Sequence, residues 1–207
     1  MKKTIDWLVD NWFKGTPFLT LYTAILLFMY VKGYNYALFL IWLQCPAYWF
    51  HEFEEYILPG GFLDFFNQKG LGSTRPDLPL SKVASFWINI PLMFVLLPLS
   101  GVLSHYYGLG WGFWTAFYST LNASAHLVMA IIYRKYNPGL VASVLVNIPL
   151  GIYTIIYFLS NHLVSTPVTI ASIIVGIIAQ ASMMVYGFAV CVPRSKREGY
   201  HKSCVKS

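Results

Sequence analysis

Six apolar runs, Pro17 to Val31, Tyr36 to Leu58, Val83 to Leu103, Trp111 to Tyr133, Leu140 to Ser160 and Pro167 to Val190, take up most of the 207-residue chain. About 20 apolar residues in a helix cross the hydrocarbon core of a bilayer. Lipid offers no water to unpaired backbone groups, so such runs are helical. The sequence therefore predicts an all-α fold, a polytopic membrane bundle of six transmembrane helices. Composition agrees, with 57% hydrophobic and 11% charged residues against roughly 25% charged in soluble domains. A soluble globular enzyme, a disordered chain and a nucleic-acid partner are excluded on that ground, and the length leaves no room for a sizeable domain outside the membrane.

Before the first run, Ile5, Leu8 and Trp12 share a helical face opposite Asp6, Asp10 and Lys14, the pattern of a helix lying in the membrane interface. The expected organisation is an interfacial helix over residues 1–16, a six-helix domain over 17–190 and a basic tail over 191–207. Of fourteen lysines and arginines, thirteen fall on one side of these spans, in the leader, the 59–82 connection, the Arg134-Lys135 turn and the tail, and only Lys32 falls on the other. The net charge of +6 thus reads as a topology signal, placing both termini in the cytoplasm and the chain in the cytoplasmic, or inner, membrane. Cys191 and Cys204 then face a reducing compartment and Cys45 lies inside a span, so no structural disulfide is expected.

The second run ends in His51-Glu52-Phe53-Glu54-Glu55. Each ionisable group costs up to about 3 kcal/mol at mid-bilayer, so something must offset the expense. Helical spacing sets Glu54 and Glu55 on either side of His51, with Tyr48 and Gln44 continuing the stripe, while Glu52 is expected to point elsewhere. His126, with Asn122 one turn earlier, reaches the same depth from the fourth run, about 10 Å from the helix end at 1.5 Å per residue. Asn89 and Asn147 complete one polar layer. Both asparagines open the tetrapeptide Asn-Ile-Pro-Leu, at 89–92 and 147–150, and each follows a span carrying a histidine and then Pro-Gly. This suggests an internal repeat relating spans two and three to spans four and five.

His51, Glu54 and Glu55 resemble the signature of the HxxEE family of small multi-pass membrane proteins, and Asn122 to His126 as N-x-x-x-H and Tyr136-Asn137-Pro138-Gly139 resemble further motifs of that family. The resemblance implies a metal-dependent or catalytic role for these residues without naming a reaction.

The residues themselves suit a divalent metal held by His51, Glu54, Glu55 and His126, zinc first and iron or manganese next, since nitrogen and carboxylate ligands are present and no thiolate cluster is. A carboxylate left over from Glu54 and Glu55 is the expected general base, with Tyr48, Asn122 or Asn147 orienting ligands or polarising substrate. The run also reads H-E-x-x-E, similar to a zincin helix with its last histidine replaced, which would make Glu52 the base were it not expected to face away. Three other readings stay open. Carboxylates and histidines in membrane helices also serve proton- or metal-coupled transport. His51 and His126 are two histidines at one depth, as a haem requires. Glu54 and Glu55 could also pair with Arg134 and Lys135 while the asparagines act as polar glue. The aromatic- and glycine-rich connection 59–82 is a lid or a plain interfacial loop, and Asp64 or Asp77 joins the site only if it folds back. The reading with most support is a metal-dependent, hydrolase-like enzyme of the lipid bilayer acting on a small amphiphilic or lipid-like substrate.

Overall fold

The computed structural model describes residues 2–192; the tail beyond, with its basic residues and Cys204, lies outside the described residues. Among the described residues seven helical bodies follow one another: α1 (Lys3–Val31), α2 (Tyr36–Tyr56), a short α3 over residues 62–70, α4 (Lys82–Tyr107), α5 (Trp114–Tyr133), α6 (Leu140–Ser160) and α7 (Thr166–Cys191). No β-strand forms among the described residues. The helices alternate in direction, so the starts of α1, α4 and α6 and the ends of α2, α5 and α7 share one end of the bundle, here called the basic end.

Local signals set the boundaries. Asn35 caps α2, its side-chain oxygen accepting from the Leu38 amide at 2.9 Å, and Ser81 caps α4 in the same way from Ala84 at 3.2 Å. Arg134, in the left-handed region at φ 49°, stops α5. The N-terminal segment continues into the first apolar helix through a 3-10 turn, Trp12–Gly15. It is tied to α4 by the Asp10–Lys82 ion pair at 3.1 Å and by Val9 and Trp12 packing on Phe86. The repeated tetrapeptide is accommodated in two ways, with a wide π-helical stretch from Ile90 to Leu96 in α4 and a shorter one, Ser143–Asn147, ahead of the proline in α6.

Among the described residues five helices, α1, α4, α5, α6 and α7, are long and apolar enough to cross a membrane. The remaining long helix, α2, has the length but carries the histidine and three carboxylates. It is also the most enclosed, packed on α1, α4, α5 and α6, while α7 packs on α5. Most of its side chains are buried, including Gln44, Tyr48, His51, Glu52, Glu54 and Glu55. The polar helix is therefore sheathed by apolar ones, which keeps its carboxylates off the apolar outer surface of the bundle. Around α2 the core is aromatic: Tyr48 stacks on Tyr118 at 5.2 Å, and Phe113 on Phe158 at 4.6 Å. Gly176 lets α7 approach α5 closely, since a Cβ there would stand 2.9 Å from that of Phe117.

Candidate metal centre

His51 and Glu55 lie one turn apart on α2, and His126 comes from α5. The His51 Nε2 atom is 3.3 Å and the His126 Nε2 atom 3.2 Å from the same carboxylate oxygen, Glu55 Oε1. The three residues are 5% exposed or less, and their ligand atoms all lie within 4.8 Å of one another. Both rings are turned by their other nitrogen. His126 Nδ1 meets Asn137 Oδ1 at 2.8 Å, and because the Asn137 amide nitrogen donates to the His126 carbonyl at 3.0 Å, its oxygen must be the atom facing the ring. His126 therefore donates from Nδ1, and a neutral ring turns the Nε2 lone pair toward Glu55. His51 Nδ1 faces the Ser143 hydroxyl at 3.3 Å. The His126 Nε2 lone pair, the His51 ring and the Glu55 carboxylate converge at one buried point, an arrangement that a proton or a cation among them balances. The donor set fits a divalent cation, and the fixed rings are the outer support such ligands carry.

The Tyr136-Asn137-Pro138-Gly139 turn explains itself residue by residue. Asn137 holds His126. Gly139, at φ +94°, lies against both rings, where a Cβ would stand 2.8 Å from His126 Cε1 and 2.9 Å from His51 Cε1. The Tyr136 hydroxyl donates to Glu54 Oε1 at 2.6 Å. Partial burial, and then this bond, push the Tyr136 phenol above its usual range.

Glu54, expected among the ligands and as a catalytic carboxylate, stands outside this group. Besides Tyr136 it accepts from the Val141 amide at 3.0 Å and the Ala142 amide at 2.6 Å, so it caps the N-terminus of α6 from a neighbouring helix. Neither Arg134 nor Lys135 pairs with Glu54 or Glu55 among the described residues. Glu52 departs from expectation in the other direction. It is 1% exposed, its Oε2 has no hydrogen-bond partner, and it lines the same cavity as His51 and Glu55. The angular arithmetic accounts for both departures. At about 100° per residue Glu52 lies only ~60° from Glu55, whereas Glu54 lies ~100° from Glu55 on the opposite flank, so the cavity is centred nearer Glu55 than His51.

That cavity has a volume of about 260 Å³. Tyr48, Asn89, Asn122 and His126 of the expected set line it, and Asn147 does not; it donates to Ser119 Oγ at 3.4 Å, with its carbonyl oxygen buried and unpaired. Tyr56, which sequence reasoning passed over, lines the wall beside Asn89, its hydroxyl 2.7 Å from Ser85 Oγ and accepting from Asn89 at 3.1 Å. The 59–82 connection folds over the site, with Phe62, Phe66 and Leu80 in the lining and the Phe62 ring 5.4 Å from that of His126. Asn67 pins this cover, donating to the carbonyls of Pro76 and Leu80 and accepting from the Leu80 amide at 2.7 Å. Asp64 and Asp77 are not in the lining. Asp77 is exposed and pairs with Arg75, which holds its carboxyl below the usual range.

No curated protein and no solved structure matches the chain. Residues 42–154, more than half of the chain and inclusive of every ligand named above, match the family described as a protein of unknown function with HXXEE motif, and the chain belongs to that family.

Proposed function

We propose that this is a six-span protein of the cytoplasmic membrane whose His51–Glu55–His126 site holds a divalent metal, zinc first and iron or manganese next, and hydrolyses a small amphiphile with its polar end in the site. The observation that carries the reading is the convergence of two Nε2 atoms on one carboxylate oxygen, with both rings oriented from behind. A cation at that point supplies Lewis acidity toward a substrate oxygen. Glu52 Oε2, buried and without a partner, is the atom available to take a proton from the attacking water, which favours the H-E-x-x-E assignment of the base. Asn122 and the Tyr56–Asn89 pair offer further polar groups to the substrate from the cavity lining. Apart from Ser85 and Gln180 the rest of the wall is apolar, with Ile88, Met93, Met129 and Met183 in it, so a polar reacting group with an apolar body is its natural guest.

The orientation belongs to the same proposal and rests on the charge asymmetry, which gathers the described basic residues other than Lys32 at the end where the site lies. Descent of the α2–α4 pair and the α5–α6 pair from one duplicated hairpin is supported by the tetrapeptide and by the histidine and Pro-Gly that precede it in each copy. The haem alternative has lost support, because the Glu55 carboxylate fills the space between the two Nε2 atoms. Elemental analysis of the detergent-purified protein tests the proposal. One equivalent of metal in the wild type, lost in His51→Ala and Glu55→Ala, is the expected result, and metal-free protein prepared without chelators removes its basis.

A further inference from the structure

We propose that the open seam between α4 and α7 is the berth of the substrate's alkyl chain, and that Met93 and Met183, both hydrogen-bonded to Tyr118, form the collar through which the chain passes to its polar end. This rests on the reading of the site as one for an amphiphile. The seam exists because α4 leans on α2 and α7 on α5. The two meet at the basic end, where Ala84 and Cys191 pack with Leu71 and Leu80, and part beyond it. The space between them is a groove of about 960 Å³ walled by aliphatic side chains, among them Leu96 and Leu99 on α4 and Val175 and Ile178 on α7. Its lining runs along α7 from Ser165 to Ser182, roughly 25 Å at 1.5 Å per residue.

Groove and site are consecutive. Leu92 lines the groove and Met93 the cavity, and likewise Ser182 the groove and Met183 the cavity. The two methionines are held from the core by Tyr118, whose hydroxyl donates to Met183 Sδ at 3.3 Å, with Met93 Sδ at 3.8 Å. The thioethers are the yielding part of this collar, because methionine is unbranched and rotates freely. A cavity of about 260 Å³ accommodates a reacting group but not a long chain as well. Phe62, Phe66 and Leu80 cover it from the basic end. The apolar route out is therefore along the seam, sideways into the bilayer, where a chain exchanges contacts with lipid for contacts with protein at little cost.

The test is photolabelling in nanodiscs with two long-chain fatty acids, one with a diazirine at the terminal carbon and one with it beside the carboxylate. The terminal probe is expected on Leu96, Leu99, Val175 and Ile178, saturably and displaced by unlabelled fatty acid, and the other on Met93, Met183 and Phe62. Ala179→Trp, which fills the groove away from the ligands, is expected to reduce terminal labelling at least tenfold with metal content unchanged. Equal, unsaturable labelling of the outward faces of α6, at Leu145 and Ile152, overturns the proposal, as does an unchanged pattern in a folded Ala179→Trp protein. Saturable groove labelling in a protein that binds no metal sinks the metal reading and keeps the berth; bound metal with unsaturable labelling does the reverse.

Discussion

Asn137 decides what His126 can do. By taking the Nδ1 hydrogen it leaves Nε2 as the ring's free position, and by donating to the His126 carbonyl it fixes its own amide the right way round. Asn137→Ala removes the partner but not the ligand, so metal affinity should fall roughly tenfold to a hundredfold. Titration with a competing chelator measures this, and an unchanged affinity excludes Asn137 as the orienting group. Gly139→Ala acts by space instead. A methyl group has no room against the two rings, and the left-handed backbone adds a strain of the order of 1–3 kcal/mol. The expected outcome is loss of metal with helical circular dichroism retained; a variant that keeps its metal shows that the rings can retreat. His51, Glu55 and His126 were legible in the sequence because ionisable groups in apolar helices are few and their depths can be counted. The roles of Glu52 and Glu54 were not, since they depend on which flank of α2 faces the cavity, and that is settled by α4 and α6.

At the scale of helices, the HxxEE signature divides its labour. Two positions meet His126, and the third, Glu54, joins α2 to the start of α6 by accepting from two amides and the Tyr136 hydroxyl. Glu54→Gln presents an amide donor to donors already in place. We expect a loss of about 2 kcal/mol, the scale of hydrogen bonds to a charged group, read as a lower midpoint of thermal unfolding in detergent, with the metal stoichiometry of the wild type. Loss of metal without loss of stability assigns Glu54 to the ligand set after all. The helices themselves were predictable, because long apolar runs have few alternatives in lipid. The cover over the site was only half predictable. Its aromatic residues hinted at burial, but what folds it back is Asn67, whose three bonds to Pro76 and Leu80 join residues nine to thirteen apart and leave no periodic trace.

For the molecule as a whole, the enclosure of α2 bears on topology. By composition it fails the test that the five apolar helices pass, yet at 21 residues it spans about 32 Å, and its polar face is turned to protein on nearly all sides. A helix sheathed in this way can cross a bilayer at the expense of its neighbours' apolar surface rather than its own. If α2 crosses, Lys32, before it, and Lys69, after it, lie on opposite sides of the membrane, and the chain makes six passes. Single cysteines at these two positions, in a background with Cys45, Cys191 and Cys204 replaced by serine or alanine, make the distinction. A membrane-impermeant maleimide should label Lys32→Cys in right-side-out vesicles and Lys69→Cys in inverted ones. Labelling of both in the same vesicles means that α2 turns back, and the metal centre then lies at a surface crevice open to water, where the cost that singled out His51 and its carboxylates is never incurred.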